Sequence, residues 1–359
     1  MLLRQLLPRT CSVRQQARRP RAVAQLAAPV ALAPSVEWEG LVAWRRGVNE
    51  ARAWSSNGAG APCEAKTVAT VAGDTLPGSL AEFGRLVLLT REPERKAALT
   101  HAAFAAWCAG GLPLGSAEAP ATPGRPERPL LVPMQQTPTP ERSPLPLSAH
   151  LLHQLTHIEL NAVDLAWDTV VRFSGLPMPR GFFCDFARVA DDESRHLLWC
   201  LQRLSELGHE YGALPSHNQL WEAASASTGD VLVRLAVVPC LQEARGLDAG
   251  PKLAEKLLGA GDARSAAVVK RIAAEEQAHV AVGVSWLRAV ADARSVAPAD
   301  AFQKAVAEYY PAGAKGPFNH HARQKVGLPQ SWYAPELAMD QLHARLQRVV
   351  EREQSAQHQ

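Results

Sequence analysis

Apolar side chains recur every three to four positions through the second half of the chain, the period of a helix that buries one face. The recurrence predicts four long helices. The first runs from an N-cap at Ser148 to about Phe173, where Ser-Gly-Leu-Pro ends it; the second runs from about Phe182 to Leu207, before Gly208. The third starts after Asp230 and reaches about Leu247, and glycine and proline then break the stretch Asp248–Gly261. Asp262 caps the fourth, which extends to about Val290. Upstream, shorter helices are expected over Ser79–Leu89 and Glu94–Cys108, with Gly110 and Gly111 ending the second. Downstream come a short helix near Ala299–Tyr309, a Gly/Pro loop and a last helix from about Pro335. No segment alternates with the two-residue period of a strand, so the fold class is all-α with a four-helix core.

The remaining segments follow other rules. Residues 36–75 are rich in Ala and Gly and read as irregular. Ten prolines lie between Pro113 and Pro146, with Arg125, Arg128 and Arg142 among them, so this stretch is extended. It reads equally as a flexible linker or as a strap lying against the bundle. The expected divisions are 1–35, 36–110, 111–147, 148–292 and 293–359. Residues 1–35 carry six arginines and no acid, the pattern of an organelle transit peptide; sparse Ser and Thr favour mitochondrion over plastid. A basic extension with no address is the alternative.

Composition narrows the partners. A net charge of +3 is too small for a nucleic-acid surface. No apolar run approaches the length of a membrane span. The six cysteines form no CxxC pair and read as scattered reduced thiols of a non-secreted protein. A homo-oligomer stays open.

Candidate chemistry interrupts the apolar stripes. The second helix contains Glu193-Ser-Arg-His196 and the fourth Glu276-Gln-Ala-His279. Helical residues i and i+3 lie about 60° apart around the axis and about 4.5 Å along it, so both side chains can grip one ion. The first helix supplies Glu159 and the third Glu243; the offsets to the paired motifs are 34 and 33 residues. Each half of the core thus gives Glu, then Glu-x-x-His. The sum, four carboxylates and two imidazoles, is the di-iron or di-manganese ligand set of ferritin-like bundles. One ExxH alone says little, since a chain this long should show on the order of half a match by chance. Glu206-Leu-Gly-His209 is such a match, about 140° off the site face and at a helix end.

The neighbours of the other two separate them from chance. The stripes are Leu155, Glu159, Ala162, Ala166; then Phe186, Val189, Glu193, His196, Cys200; then Ala236, Cys240, Glu243, Leu247; and Val269, Ile272, Glu276, His279, Gly283. Converging buried carboxylates repel, and divalent cations remove the conflict. Mixed carboxylate and imidazole ligation suits iron, with manganese as the second choice, better than zinc. A buried salt-bridge network is the competing account, weakened because no Lys or Arg falls on these stripes.

Other residues support weaker readings. His153, His157, Asn161, Asp164 and Asp168 form a second polar stripe on the first helix. It reads as a polar face under the Pro-rich stretch, or as partners that orient metal ligands. Asp168 and Arg172 should pair at i,i+4. Pro239 kinks the third helix beside Glu243, or marks an irregular start. Trp199 and Trp286 read as core. Arg245 could pair with Asp192, Asp248 or a substrate anion.

With these residues in view, the chain resembles the ferritin-like family catalogued as domain of unknown function 455, from about Leu86 to Tyr333. The resemblance is carried by Pro-Gly-Arg-Pro at 123–126, His157-Ile-Glu-Leu-Asn-Ala162, Ala190-Asp-Asp-Glu-Ser-Arg-His196 and Leu207-Gly-His-Glu-Tyr-Gly212. It continues through Gln242-Glu-Ala-Arg-Gly-Leu-Asp248, Glu275-Glu-Gln-Ala-His279 and Gly316-Pro-Phe-Asn319. It implies the same six ligands: Glu159, Glu193, His196, Glu243, Glu276 and His279. Three function classes stay open. The first is an O₂-activating oxidase or hydroxylase of unidentified substrate and electron donor, with 208–230 and the Gly313–Pro329 loop (Lys315, Asn319, Arg323, Lys325) walling a pocket. The second is iron handling by ferroxidase activity, peroxide scavenging or storage. The third is a metal-stabilised scaffold without turnover.

Overall fold

Two pairs of long helices carry the interior, and each pair is closed by the punctuation the sequence supplies. The computed structural model describes residues 38–47, 53–55, 58–61 and 76–336. The transit-peptide segment and nearly all of the helix expected from Pro335 lie outside them.

In the first pair, α4 (Leu147–Arg172) and α5 (Arg180–Glu206) pack along their length. Pro146, and not Ser148, is the N-cap of α4: proline's fixed φ suits the residue before the first turn, and the helix starts two residues earlier than expected. The second pair is α9 (Ala263–Ala293), capped by Asp262, and a longer composite partner. That partner comprises α7 (Val231–Val237), a π-helical turn (Val238–Glu243) and α8 (Ala244–Gly259). Pro239 therefore produces a π turn at Glu243. The expected break at Asp248–Gly261 is absent, and helix continues through Pro251. Pro251 has no N–H for the Leu247 carbonyl. Asn319 donates Nδ2–H to that oxygen at 3.3 Å instead.

Shorter helices brace these pairs. Leu80–Leu89 (α2) is capped by Ser79, whose hydroxyl accepts from the Glu82 N–H; α3 is Pro93–Cys108. Residues 36–75 are not wholly irregular. Helix α1 (Glu39–Arg46) lies there, bound by Arg45 to Asp185 at 2.5 Å, and so does a hairpin of β1 (Ala53–Ser55) and β2 (Gly58–Ala61). Apart from that hairpin, regular structure among the described residues is helical. Helix α6 (Gln219–Ser225) lies in the 208–230 connection. Pro298–Tyr309 forms α10; His320–Lys325 (α11) and Gln330–Tyr333 (α12) occupy the region expected to be loop.

The Pro-rich stretch is a strap. Its backbone pairs with Leu80 and Ala81 at one end and with Ser216 at the other. The Gly124 N–H meets the Leu88 carbonyl at 2.7 Å, and a Cβ at Gly124 would lie 2.4 Å from the Leu89 oxygen, so only glycine lets the strap approach. Arg125 then reaches Asp164 and Asn161. The second polar stripe of α4 thus lies under the strap at Asn161 and Asp164, and under residues 211–217 at His153 and His157.

Two apolar clusters divide the helices end to end. One holds Leu160, Val189, Leu247 and Val280; the other holds Leu155, Trp199, Leu253 and Ile272. In α4, α5 and α9 the acids and imidazoles of the candidate site fall between them, while Glu243 sits within the stretch of the first cluster.

Candidate metal centre

The structure brings Glu159, Glu193, His196 and Glu276 together, one ligand atom from each within 4.8 Å of all the others. His279 joins them: its Nδ1 is 2.8 Å from Glu193 Oε1 and 3.6 Å from Glu276 Oε1. His196 likewise turns Nδ1 inward, 3.3 Å from Glu193, 3.5 Å from Glu159 and 3.6 Å from Glu276. Both imidazoles are fully buried, and Glu159 and Glu193 are nearly so. Glu243, the sixth predicted residue, lies outside that close group but lines the same cavity as Glu159, Glu193 and Glu276.

Burial in this crowd sets the protonation. It pushes the Glu159 carboxyl well above the usual range, with Glu193 and Glu276 adding to the effect and His196 opposing it. It pushes Glu276 up as well, and Glu243 up to about 8. Burial works against charge on the imidazoles, but carboxylates outweigh it and hold both well above the ordinary histidine value. Glu159, Glu193 and Glu275 do so for His196; Glu276, Glu193 and Asp192 do so for His279. Without metal, the imidazolium ions are the counter-cations of the inner acids.

The outer nitrogens are held from behind. His196 Nε2 is 3.0 Å from Glu275 Oε2 and His279 Nε2 is 3.3 Å from Asp192 Oδ2. Carboxylates behind a metal-binding imidazole fix its tautomer and orientation. The fully buried Arg195 joins Asp192 to Glu275, and Arg271 holds the other Glu275 oxygen at 2.5 Å. Burial opposes charge on Glu275, but His196 and Arg195 bring its carboxyl down to about 2. Trp44 of α1 donates its indole N–H to Asp192 at 2.6 Å. The outer ring was missed from sequence, though two of its members, Asp192 and Glu275, directly precede Glu193 and Glu276.

The arrangement fits a cation better than it fits itself. Glu193 Oε1 and His279 Nδ1 stand 2.8 Å apart as an ion pair whose angles do not make an aligned hydrogen bond. Four carboxylates and two imidazoles crowded in the interior leave lone pairs that these ion pairs do not align with, and a cation among them could be ligated by several at once. Iron or manganese suits the donor set. The competing salt-bridge network is present, but as the outer ring around Arg195.

Other expectations separate cleanly. Glu206 is exposed and pairs with Arg203 and Arg264, as a helix end would. Asp168 pairs with Arg172 at 2.6 Å and with the buried Arg234 at 2.7 Å. Asp248 pairs with Arg323, and Arg245 lies buried beside Tyr310. Trp199 and Trp286 are core. Of the two segments expected to wall a pocket, the 208–230 connection contributes Leu220, while the Gly313–Pro329 loop contributes nothing. Its Asn319 and Arg323 serve α8 instead.

Comparison with known proteins agrees with this range. Residues 89–334 match the model of the family described as a protein of unknown function, DUF455, and the chain belongs to that family. An uncharacterized protein of Haemophilus influenzae is 35% identical over 210 residues, covering 57% of this chain and 73% of its own. No solved structure matches the chain.

Proposed function

We propose that the chain is a ferritin-like di-metal carboxylate protein in which Glu159, Glu193, His196, Glu243, Glu276 and His279 hold two iron ions. We further propose that the centre serves an O₂-activating oxidase or hydroxylase. The ferritin-like reading rests on two helix pairs, each giving Glu and then Glu-x-x-His toward one interior. The observation that carries the enzymatic reading is a cavity of about 90 Å³ lined by Glu159, Glu193, Glu243 and Glu276 and otherwise almost wholly by apolar side chains. An apolar-lined cavity against the ligands is what a substrate needs.

The residues divide the work. Reduced iron, when bound, supplies the electrons for O₂ activation. Asp192, Glu275 and Arg195 keep both imidazoles in one tautomer and orientation. Two apolar clusters exclude bulk water from either side. Glu243 is the last residue of the π turn, so its carboxyl sits on the helix segment whose register can adjust most readily.

The test is to load the full chain anaerobically with ferrous ion and count metal before admitting air. Near two irons per chain, with transient colour on oxygenation, is expected. Unchanged iron in Glu243→Ala and His279→Ala would end the proposal. A loaded protein that melts later but never reacts with O₂ would mark a scaffold, and a large cage in light scattering would mark iron storage.

A further inference from the structure

The cavity beside the carboxylates has a composition that selects its occupant. Its partly exposed lining residues are Ile158, Ala162, Leu220, Gly246, Gly250 and Ala273, all apolar, and one acid, Glu243. No lysine, arginine or histidine lines it, so the wall offers no cation to a phosphate or a carboxylate. Apart from the four glutamates its one polar side chain is Gln242. A sugar or nucleotide would leave most of its donors and acceptors unpaired there, at a cost for each.

Two details refine the class. Gln242 donates its Nε2–H to the Leu220 carbonyl at 3.2 Å, which fixes the amide and leaves Oε1 buried without a donor. That orphan acceptor calls for one hydrogen-bond donor on the occupant. Small residues at the mouth leave room beside the acids: a Cβ at Gly246 would stand 3.4 Å from Glu276 Cγ and 3.7 Å from its Oε2. At about 90 Å³ the space is smaller than the cavity of about 150 Å³ that accepts benzene, and so matches a short alkyl segment.

We propose that this cavity binds a short, uncharged aliphatic chain bearing a single hydrogen-bond donor, a primary alcohol in class, as the substrate of the centre. This rests on the di-metal reading above. Depth and chemistry agree: an apolar chain enters past Ala162 and Ala273, its donor meets Gln242 Oε1, and carbon is left facing the carboxylates.

The experiment is calorimetric titration of the anaerobic, ferrous-loaded full chain with 1-pentanol, its methyl ether, pentanoate and pentylammonium. 1-Pentanol should saturate one site, and the two charged analogues should bind about tenfold more weakly or worse. Ala162→Leu, which fills the mouth, should weaken 1-pentanol by about tenfold. Gln242→Leu should abolish the preference for the alcohol over the methyl ether. Tightest binding by pentanoate, or equal 1-pentanol affinity in Ala162→Leu, would overturn the ligand class. Iron counted in the same samples separates the two proposals. Full iron with no 1-pentanol binding defeats this inference alone. Saturable binding with no iron retained defeats the di-metal reading, and with it the role of substrate.

Discussion

Helix α4 buries acids on two faces about 140° apart. Under the strap, Asp164 lies between Lys96 at 2.6 Å and Arg125, and Asp168 between Arg172 and Arg234. On the far face, Glu159 meets only the imidazole of His196, at 3.5 Å, among three further acids. The chain supplies permanent cations to one face and withholds them from the other. A buried acid with its own guanidinium or ammonium is finished as structure. A group of buried acids that share two imidazoles has room for a cation from outside.

The sharpest way to break that comparison is an isosteric pair of substitutions in metal-free protein. Asp164→Asn strands the fully buried Lys96 and should cost about 3–5 kcal/mol in urea unfolding, the penalty for removing one partner of a buried ion pair. Glu159→Gln should cost under about 1 kcal/mol, because its carboxyl is already pushed toward the neutral form that glutamine copies. Iron content should respond in reverse, holding in Asp164→Asn and falling in Glu159→Gln. Equal costs would mean that Glu159 is as fully paired by the protein as Asp164.

The same contrast explains what was legible in the sequence. The close site could be found because ligand spacing is local: Glu193 and His196 share a turn, as do Glu276 and His279, and period alone puts Glu159 on the apolar stripe. The partners of Asp164 could not. Lys96 is 68 residues away and Arg125 is 39, and nothing in either segment's periodicity points across that gap. Helix through Pro251 was hidden for the same reason, since the replacement donor, Asn319, comes from a distant loop. The helix at Glu39–Arg46 was obscured by the Ala- and Gly-rich composition around it, though Trp44 and Arg45 find partners on α5.

Acid should attack the same polar stripe where residues 211–217 cover it, through the neutral histidines there. His153 Nε2 accepts the Gly212 N–H at 3.0 Å and the Leu214 N–H at 3.3 Å, so a proton there displaces both. Burial lowers His153 to about 4, with His150 adding to the effect, and burial lowers His217 to about 4. The unfolded chain takes up these protons near pH 6.5 and the folded one does not until about 4. Stability from these groups is therefore full above about pH 6.5 and is lost as pH falls toward 4, by up to about 1.4 kcal/mol per pH unit for each histidine. Urea midpoints at pH 7, 6 and 5 should show the slope, and His153→Gln should flatten it. An unchanged slope would place the acid sensitivity elsewhere.

Gly283→Ala probes the far face through packing alone. A Cβ there would lie 2.3 Å from Pro239 Cβ, so the π turn that carries Glu243 must move. Overpacking of this kind costs about 1–3 kcal/mol. Iron per chain should fall further than the stability loss alone would cause. Full iron would show that Glu243 tolerates a displaced backbone and is not a required ligand.

The smallest expected effect locates the edge of the site. Trp44→Phe keeps an aromatic ring beside His279, now 6.2 Å away between centroids, but removes the N–H that reaches Asp192. Asp192 keeps Arg195 and His279, so its charge stays compensated. The loss should be about 1 kcal/mol, the scale of one hydrogen bond at a half-buried donor. Iron content should hold, while the quenching of tryptophan fluorescence on iron loading should shrink, because Trp44 is one of the indoles nearest the imidazoles. If iron is lost instead, the orientation of His279 depends on a bond supplied by the amino-terminal helix. Helix α1 would then belong to the centre itself, as the element that completes the far face of the bundle.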